Sequence, residues 1–198
     1  MDSQQPVQPA YLREVAYDQH IALPHKMPYI WTALDTRNAV LATIAPGALG
    51  VASLIASRPG GNYQQFLEGS IKPNWADQHP ALYSAVDALT LTPLGYASYL
   101  VFKNGGGFDY TDTTVALTLY GTNLIFAAAS IPLIQKKNYK GLLCNTTVVL
   151  GTAIATAVAF HQIDEKAGWL VAPYAAWTVF YGFLAYKLHQ LNRVDKDL

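Results

Sequence analysis

Five windows of this chain run for about twenty residues each with almost no ionisable side chain: roughly Ala39 to Ala56, Ala81 to Phe102, Thr113 to Gln135, Leu142 to Phe160 and Gly168 to Leu188. A helix rises about 1.5 Å per residue, so roughly 20 residues cross a hydrocarbon core of about 30 Å. Asp87 is the one carboxylate inside a window, and Lys187 sits at the end of the last, where its stem reaches the interface. The windows are apolar around their whole circumference, whereas a helix on a water-soluble bundle needs a polar stripe. Composition agrees, because 13% of the residues are charged where a soluble domain has about a quarter. These features predict an all-α membrane protein, a bundle of five transmembrane helices preceded by an N-terminal extension.

Small residues recur inside the windows: Gly47, Gly50 and Ser53 in the first, Gly151, Ala155 and Ala159 in the fourth. In lipid, helices associate by close backbone contact through such residues. Pro46, Pro93, Pro132 and Pro173 predict bends that a packed bundle accommodates. Five spans put the termini on opposite sides. Arg58, Lys72, Lys136, Lys137, Lys140, Lys187, Arg193 and Lys196 cluster on the C-terminal side, which the positive-inside rule assigns to the cytosolic or matrix-like face. Gly105-Gly106-Gly107 predicts a turn, Lys136 to Lys140 a tight link, and Ser57 to Pro80 the longest loop. Residues 1–38 form a polar, proline-containing arm and residues 39–198 the helical domain. The arm matches neither a secretory signal nor an Arg-rich, acid-poor presequence, since Asp2, Glu14 and Asp18 interrupt it.

Several function classes are disfavoured. Thirteen basic residues balance thirteen acidic ones, so no basic surface invites nucleic acid. The single cysteine, Cys144, excludes an internal disulfide framework. His161, Asp164 and Glu165 follow the fourth span, but three polar residues at a membrane surface lack the converging ligands of a metal site. No nucleophile–base pair, P-loop or dinucleotide motif occurs, so neither an enzyme nor a cofactor is predicted. Asp87 has two readings. A carboxylate within a span faces the bundle interior and finds a partner, either as a ligand or proton site or as an interhelix tie, with Tyr83 and Thr90 as donors one turn away.

Specific runs within the spans carry a resemblance. Lys72-Pro73-Asn74-Trp75 with Pro80, Leu94-Gly95-Tyr96-Ala97-Ser98-Tyr99-Leu100-Val101-Phe102-Lys103, Leu119-Tyr120 and Pro173-Tyr174-Ala175-Ala176-Trp177 occur in order, each in its own segment. Over roughly Ala39 to Asn192 the chain resembles the TspO/MBR family, the translocator proteins. The resemblance implies a five-helix bundle in a mitochondrial or bacterial membrane, often dimeric, with a pocket for porphyrins, synthetic drugs and, in animals, sterol. It makes Lys72, Pro73 and Trp75 the first-loop motif and Tyr96, Tyr99, Tyr120, Asn123, Tyr174 and Trp177 the pocket candidates.

The departures bear on the ligand. Where the family's third helix carries an Asn and two Trp, this chain has Ala127, Ala128 and Ser130, and Asp87 stands at a Trp position. Each lost indole removes one of the largest apolar surfaces a pocket has, which predicts poor binding of tetrapyrroles and drug rings. The loose sterol motif also fails, because Lys187 follows Tyr186 directly and Arg193 lies too far on. The expectation is a multi-pass mitochondrial membrane protein that contacts lipids and takes a lipid or other hydrophobic ligand in its groove. The alternative is an accessory subunit of a larger membrane assembly, such as a respiratory complex, with a degenerate pocket. Partners are then a second copy in a homodimer or the proteins of that assembly.

Overall fold

A computed structural model describes residues 30–76 and 80–193, and the elements within them are all helical. In chain order the α-helices are α1 (Ala33–Ala56), α2 (Asn62–Glu68), α3 (Pro80–Asn104), α4 (Thr111–Gln135), α5 (Tyr139–Ile163) and α6 (Glu165–Arg193), with a 3-10 turn at Gly107–Asp109. Apart from α2, each has between 24 and 29 residues, a length of at least about 36 Å. Helices α1, α4 and α5 are also apolar enough to cross a membrane by composition. Helices α3 and α6 have the length, and their polar groups, Asp87 among them, are engaged within the bundle. The outward faces carry exposed Val40, Ile44, Ile125, Val158 and Phe183, the pattern of surfaces solvated by lipid.

The domain boundary expected at residue 39 falls inside α1, since Ala33–Asn38 already form its first turns. The arm up to residue 29 lies outside the described residues. So does Asp77–His79 of the first loop.

Hydroxyl side chains are numerous in the spans, yet most need no partner from a neighbouring helix. Thr43, Thr92, Thr118, Thr146 and Thr147 each donate to the carbonyl four residues earlier, at 2.6–2.9 Å. That bond satisfies the hydroxyl within its own helix, so threonine is tolerated where water is absent. Pro46, Pro93, Pro132 and Pro173 all lie inside helices.

Packing between helices is closest where side chains vanish. A Cβ built on Gly95 of α3 would stand 2.3 Å from the Thr43 Cα of α1, so only glycine permits this crossing. Gly50 of α1 rests on Ala88 of α3, where a Cβ would come within 3.0 Å. Gly47 and Gly151 meet nothing within 4 Å of such a Cβ, so those two positions of the small-residue repeats are not contacts within the chain. Helix α5 packs between α4 and α6, and α3 packs on α6. Helix α2, the short segment in the first loop, leans on α3 and α4.

Two polar knots tie the helices together. Asn123 of α4 donates from Nδ2 to the Val149 carbonyl (2.8 Å) and to Thr152 Oγ1 (2.9 Å) of α5, and its Oδ1 accepts from the Tyr174 hydroxyl of α6 (2.7 Å). Asn145 of α5 reaches back to the Phe126 carbonyl and to Ser130 Oγ of α4. Near one end, Tyr99 and Lys103 of α3 both engage the buried Asp35 carboxylate of α1. The link between α4 and α5 turns at Lys137, which has φ +48°, and the glycine turn uses Gly106 and Gly107 at φ +81° and +78°. Only glycine takes the latter conformation freely.

Candidate functional site

The long helices and α2 enclose a cavity of about 180 Å³. Leu49 and Ser53 come from α1, Tyr63, Phe66 and Leu67 from α2, and Asp87 and Leu91 from α3. Ala127, Ser130 and Ile131 come from α4, Leu142, Thr146 and Val149 from α5, and Tyr174, Trp177, Tyr181, Leu184 and Leu188 from α6. The wall is largely hydrocarbon, which follows from span residues chosen for lipid compatibility. A second hollow opens beside it, lined by Ala52, Ile55 and Gly61 and sharing Ala56, Asn62 and Ile131 with the first. Ile55 and Ile131 are exposed, so the shared wall leads outward between α1 and α4.

Among the described residues, Asp87 is the one ionisable group other than tyrosine on that wall. Three donors from other helices converge on its carboxylate. Trp177 Nε1 donates to Oδ1 (2.7 Å), while Ser53 Oγ (2.6 Å) and the Tyr181 hydroxyl (3.0 Å) donate to Oδ2. Ser84, one turn before Asp87, donates to the Ser53 carbonyl (3.0 Å) and holds that serine in place. The expected partners on its own helix are not the ones used: Thr90 donates to the carbonyls of Val86 and Asp87, not to the carboxylate.

An aromatic column stands over the carboxylate. Trp177 stacks on Phe180 (centroids 4.7 Å apart), Phe180 on Tyr83 (5.8 Å), and Tyr83 meets Tyr63 edge-on (6.4 Å). Trp75 of the first-loop motif stacks on Phe183 (5.4 Å) and touches Phe180 edge-on (6.0 Å), closing the column from outside the cavity. Lys72 and Pro73 lead into the turn closed by the Ala76 N–H on the Pro73 carbonyl (3.0 Å). Asn192 of α6 clamps the loop, accepting from the Ile71 N–H and donating to the Ile71 carbonyl, both at 3.0 Å.

Of the six pocket candidates, the cavity wall takes Tyr174 and Trp177. Tyr99 is occupied at the Asp35 lock, Asn123 at the interhelix knot, Tyr120 packs on Phe160, and Tyr96 is 41% exposed. Spacing alone does not separate these roles, because each residue sits on a helix face that meets another helix. The sequence reading missed Ser53, Tyr63, Phe66 and Tyr181 as wall residues. Tyr181 follows Trp177 by four positions, a same-face spacing that marks it, and Tyr63 and Phe66 are the apolar side of the loop helix. Ala127 and Ser130, at positions where the family carries Asn and Trp, line the cavity, and the wall keeps aromatic rings on α2 and α6. Asp164 and His161 have structural partners: Asp164 accepts from Asn104 and from the Ala167 N–H, and His161 packs edge-on against Trp169. Among the described residues no group of three metal-ligating side chains forms.

The sequence is similar to those of known proteins. The chain is 35% identical over 129 residues to the translocator protein of Bos taurus, covering 64% of this chain and 74% of that one. It is 35% identical over 123 residues to the translocator protein of Homo sapiens (62% and 72% covered), and 30% identical over 124 residues to translocator protein 2 of Homo sapiens (62% and 72%). The TspO/MBR family profile matches residues 39–191, which takes in the cavity, the aromatic column and both polar knots. This chain therefore belongs to the TspO/MBR family.

Proposed function

We propose that this protein spans a mitochondrial membrane five times and holds a lipid chain or another slim hydrophobic ligand in the cavity, without catalysing a reaction on it. The observation that carries the reading is the hydrocarbon-lined cavity at the centre of the bundle. Its size sets the ligand class. A cavity near 150 Å³ lined by Leu, Ile and Phe admits a single benzene ring, and sites for drug-sized molecules run to about 300–1,000 Å³. At about 180 Å³, this one suits one alkyl chain or one small ring and is short of room for a tetrapyrrole. The shared wall toward α1 and α4 offers a path from the lipid side. The mitochondrial setting and the five spans rest on the family and on the lengths of α3 and α6.

The test is a titration of n-octanol into the full-length protein in phosphatidylcholine nanodiscs, read as a thermal shift. A cavity ligand at about 100 times its Kd stabilises the fold by about 2.7 kcal/mol. Saturable stabilisation is expected, and a response that only tracks partitioning into the bilayer would overturn the reading. Native gel migration as part of a much larger assembly would point to a subunit role instead.

A further inference from the structure

Asp87 does more than tie helices, because it also lines the cavity. Oδ2 already accepts from Ser53 and Tyr181, whereas Oδ1 accepts from Trp177 alone among the described residues. A carboxylate oxygen has room for two donors, so one acceptor position is left on Oδ1. All three protein donors are neutral. They orient and solvate the carboxylate but supply no positive charge, and among the described residues no Lys, Arg or His lines the cavity. A carboxyl group in an apolar surrounding either holds a proton or is paired with a counter-charge, and a ligand cation can supply the second. The wall is thus complete in shape and incomplete in charge.

We infer that the cavity selects a lipophilic amine: one alkyl chain or small ring along Leu49, Leu91 and Leu142, with a protonated nitrogen donating to Asp87 Oδ1. The inference rests on the cavity being a ligand site and adds the polar end of the ligand. An anionic ligand such as a fatty acid would place two carboxylates together and is selected against. Sphingoid-type lipids and amine-bearing small molecules share this chemistry.

The experiment compares n-octylamine, n-octanol and octanoate, identical in chain and different in head group, against the full-length protein in neutral phosphatidylcholine nanodiscs, with empty nanodiscs as the blank. The amine is expected to bind the wild-type protein about tenfold or more tighter than the alcohol, the scale of one charge-assisted hydrogen bond, with octanoate weakest. Asp87→Asn is expected to abolish the amine's advantage, read as the ratio of amine to alcohol affinity within the same protein. Equal binding of amine and alcohol to the wild-type protein would overturn the inference while leaving the hydrophobic site standing, and this comparison needs no variant to fold. Amine selectivity that survives in Asp87→Asn would overturn it as well. If no probe binds, the hydrophobic site itself falls. Sphingosine and a single-ring amine such as phenethylamine, run in the same format, separate the lipid source from the small-molecule source.

Discussion

Gly95→Ala tests whether the α1–α3 crossing sets the geometry of the cavity. The added Cβ would sit 2.3 Å from Thr43 Cα, 2.6 Å from Thr43 N and 2.7 Å from the Ala42 carbonyl oxygen. These are backbone atoms, so no rotamer change relieves the clash. Ordinary contact begins near 3.4 Å, which requires α1 to retreat by about 1 Å at this point. Overpacking of this kind costs about 1–3 kcal/mol, and at about 2–4 °C per kcal/mol for a chain of this size the melting temperature falls by about 2–12 °C. The displacement has a second consequence. Ser53 lies ten residues along the same helix, about 15 Å away, and its 2.6 Å bond to Asp87 weakens steeply as α1 moves off. Thermal unfolding and n-octanol titration in nanodiscs read both effects, and both should change together. A Gly95→Ala protein with wild-type melting temperature and wild-type binding would refute the argument that α1 is seated by this glycine.

The remaining expectations separate structural residues from ligand-contacting ones. Asn123→Leu removes three hydrogen bonds and is expected to cost about 2 kcal/mol, taking about 0.6 kcal/mol per intramembrane bond. Combined with Tyr174→Phe it should cost less than the sum of the two single changes, in a double-mutant cycle by detergent unfolding. Tyr99→Phe loses its bond to Asp35 and should lower stability by about 1 kcal/mol with octanol affinity unchanged. Ala127→Phe projects a ring into the cavity from α4; n-octanol saturation should disappear while the melting temperature holds or rises, as cavity filling commonly adds about 0.5–2 kcal/mol.

How much of this was legible beforehand depends on whether a feature is local. Helix formation and burial in lipid are properties of each segment, so the charge-free windows located the long helices, and the four prolines and the glycine turn fell where expected. Helix boundaries were less visible: α1 begins at Ala33, where Asp35 and Arg37 break the apolar run, because a helix can carry charge at its end once Lys103 and Tyr99 supply partners from α3. The candidate site was harder still. Tyr99, Tyr120, Asn123, Tyr174 and Trp177 all carry polar atoms on packed faces, and only the relative rotation of the helices decides which of them looks into the cavity. The partners of Asp87 are hidden from sequence for the same reason. Tyr83 and Thr90 are near in sequence, whereas Ser53, Trp177 and Tyr181 are 34, 90 and 94 residues away.

Residue sizes on α4 explain why recognition is expected from the other side of the bundle. With Ala127 and Ser130 at the wall, α4 contributes little surface that a flat ring system could stack on. The aromatic area lies instead on α2 and α6, in Tyr63, Phe66, Trp177 and Tyr181, and each of these four meets Asp87 or another of the four. A broad planar ligand needs two opposed faces, and here one face is missing. A slim ligand with one polar end needs a single lined wall and one anchoring group, and both are present on the α2–α3–α6 side. On the proposed reading, the small residues of α4 leave a narrower site whose selectivity turns on one carboxylate.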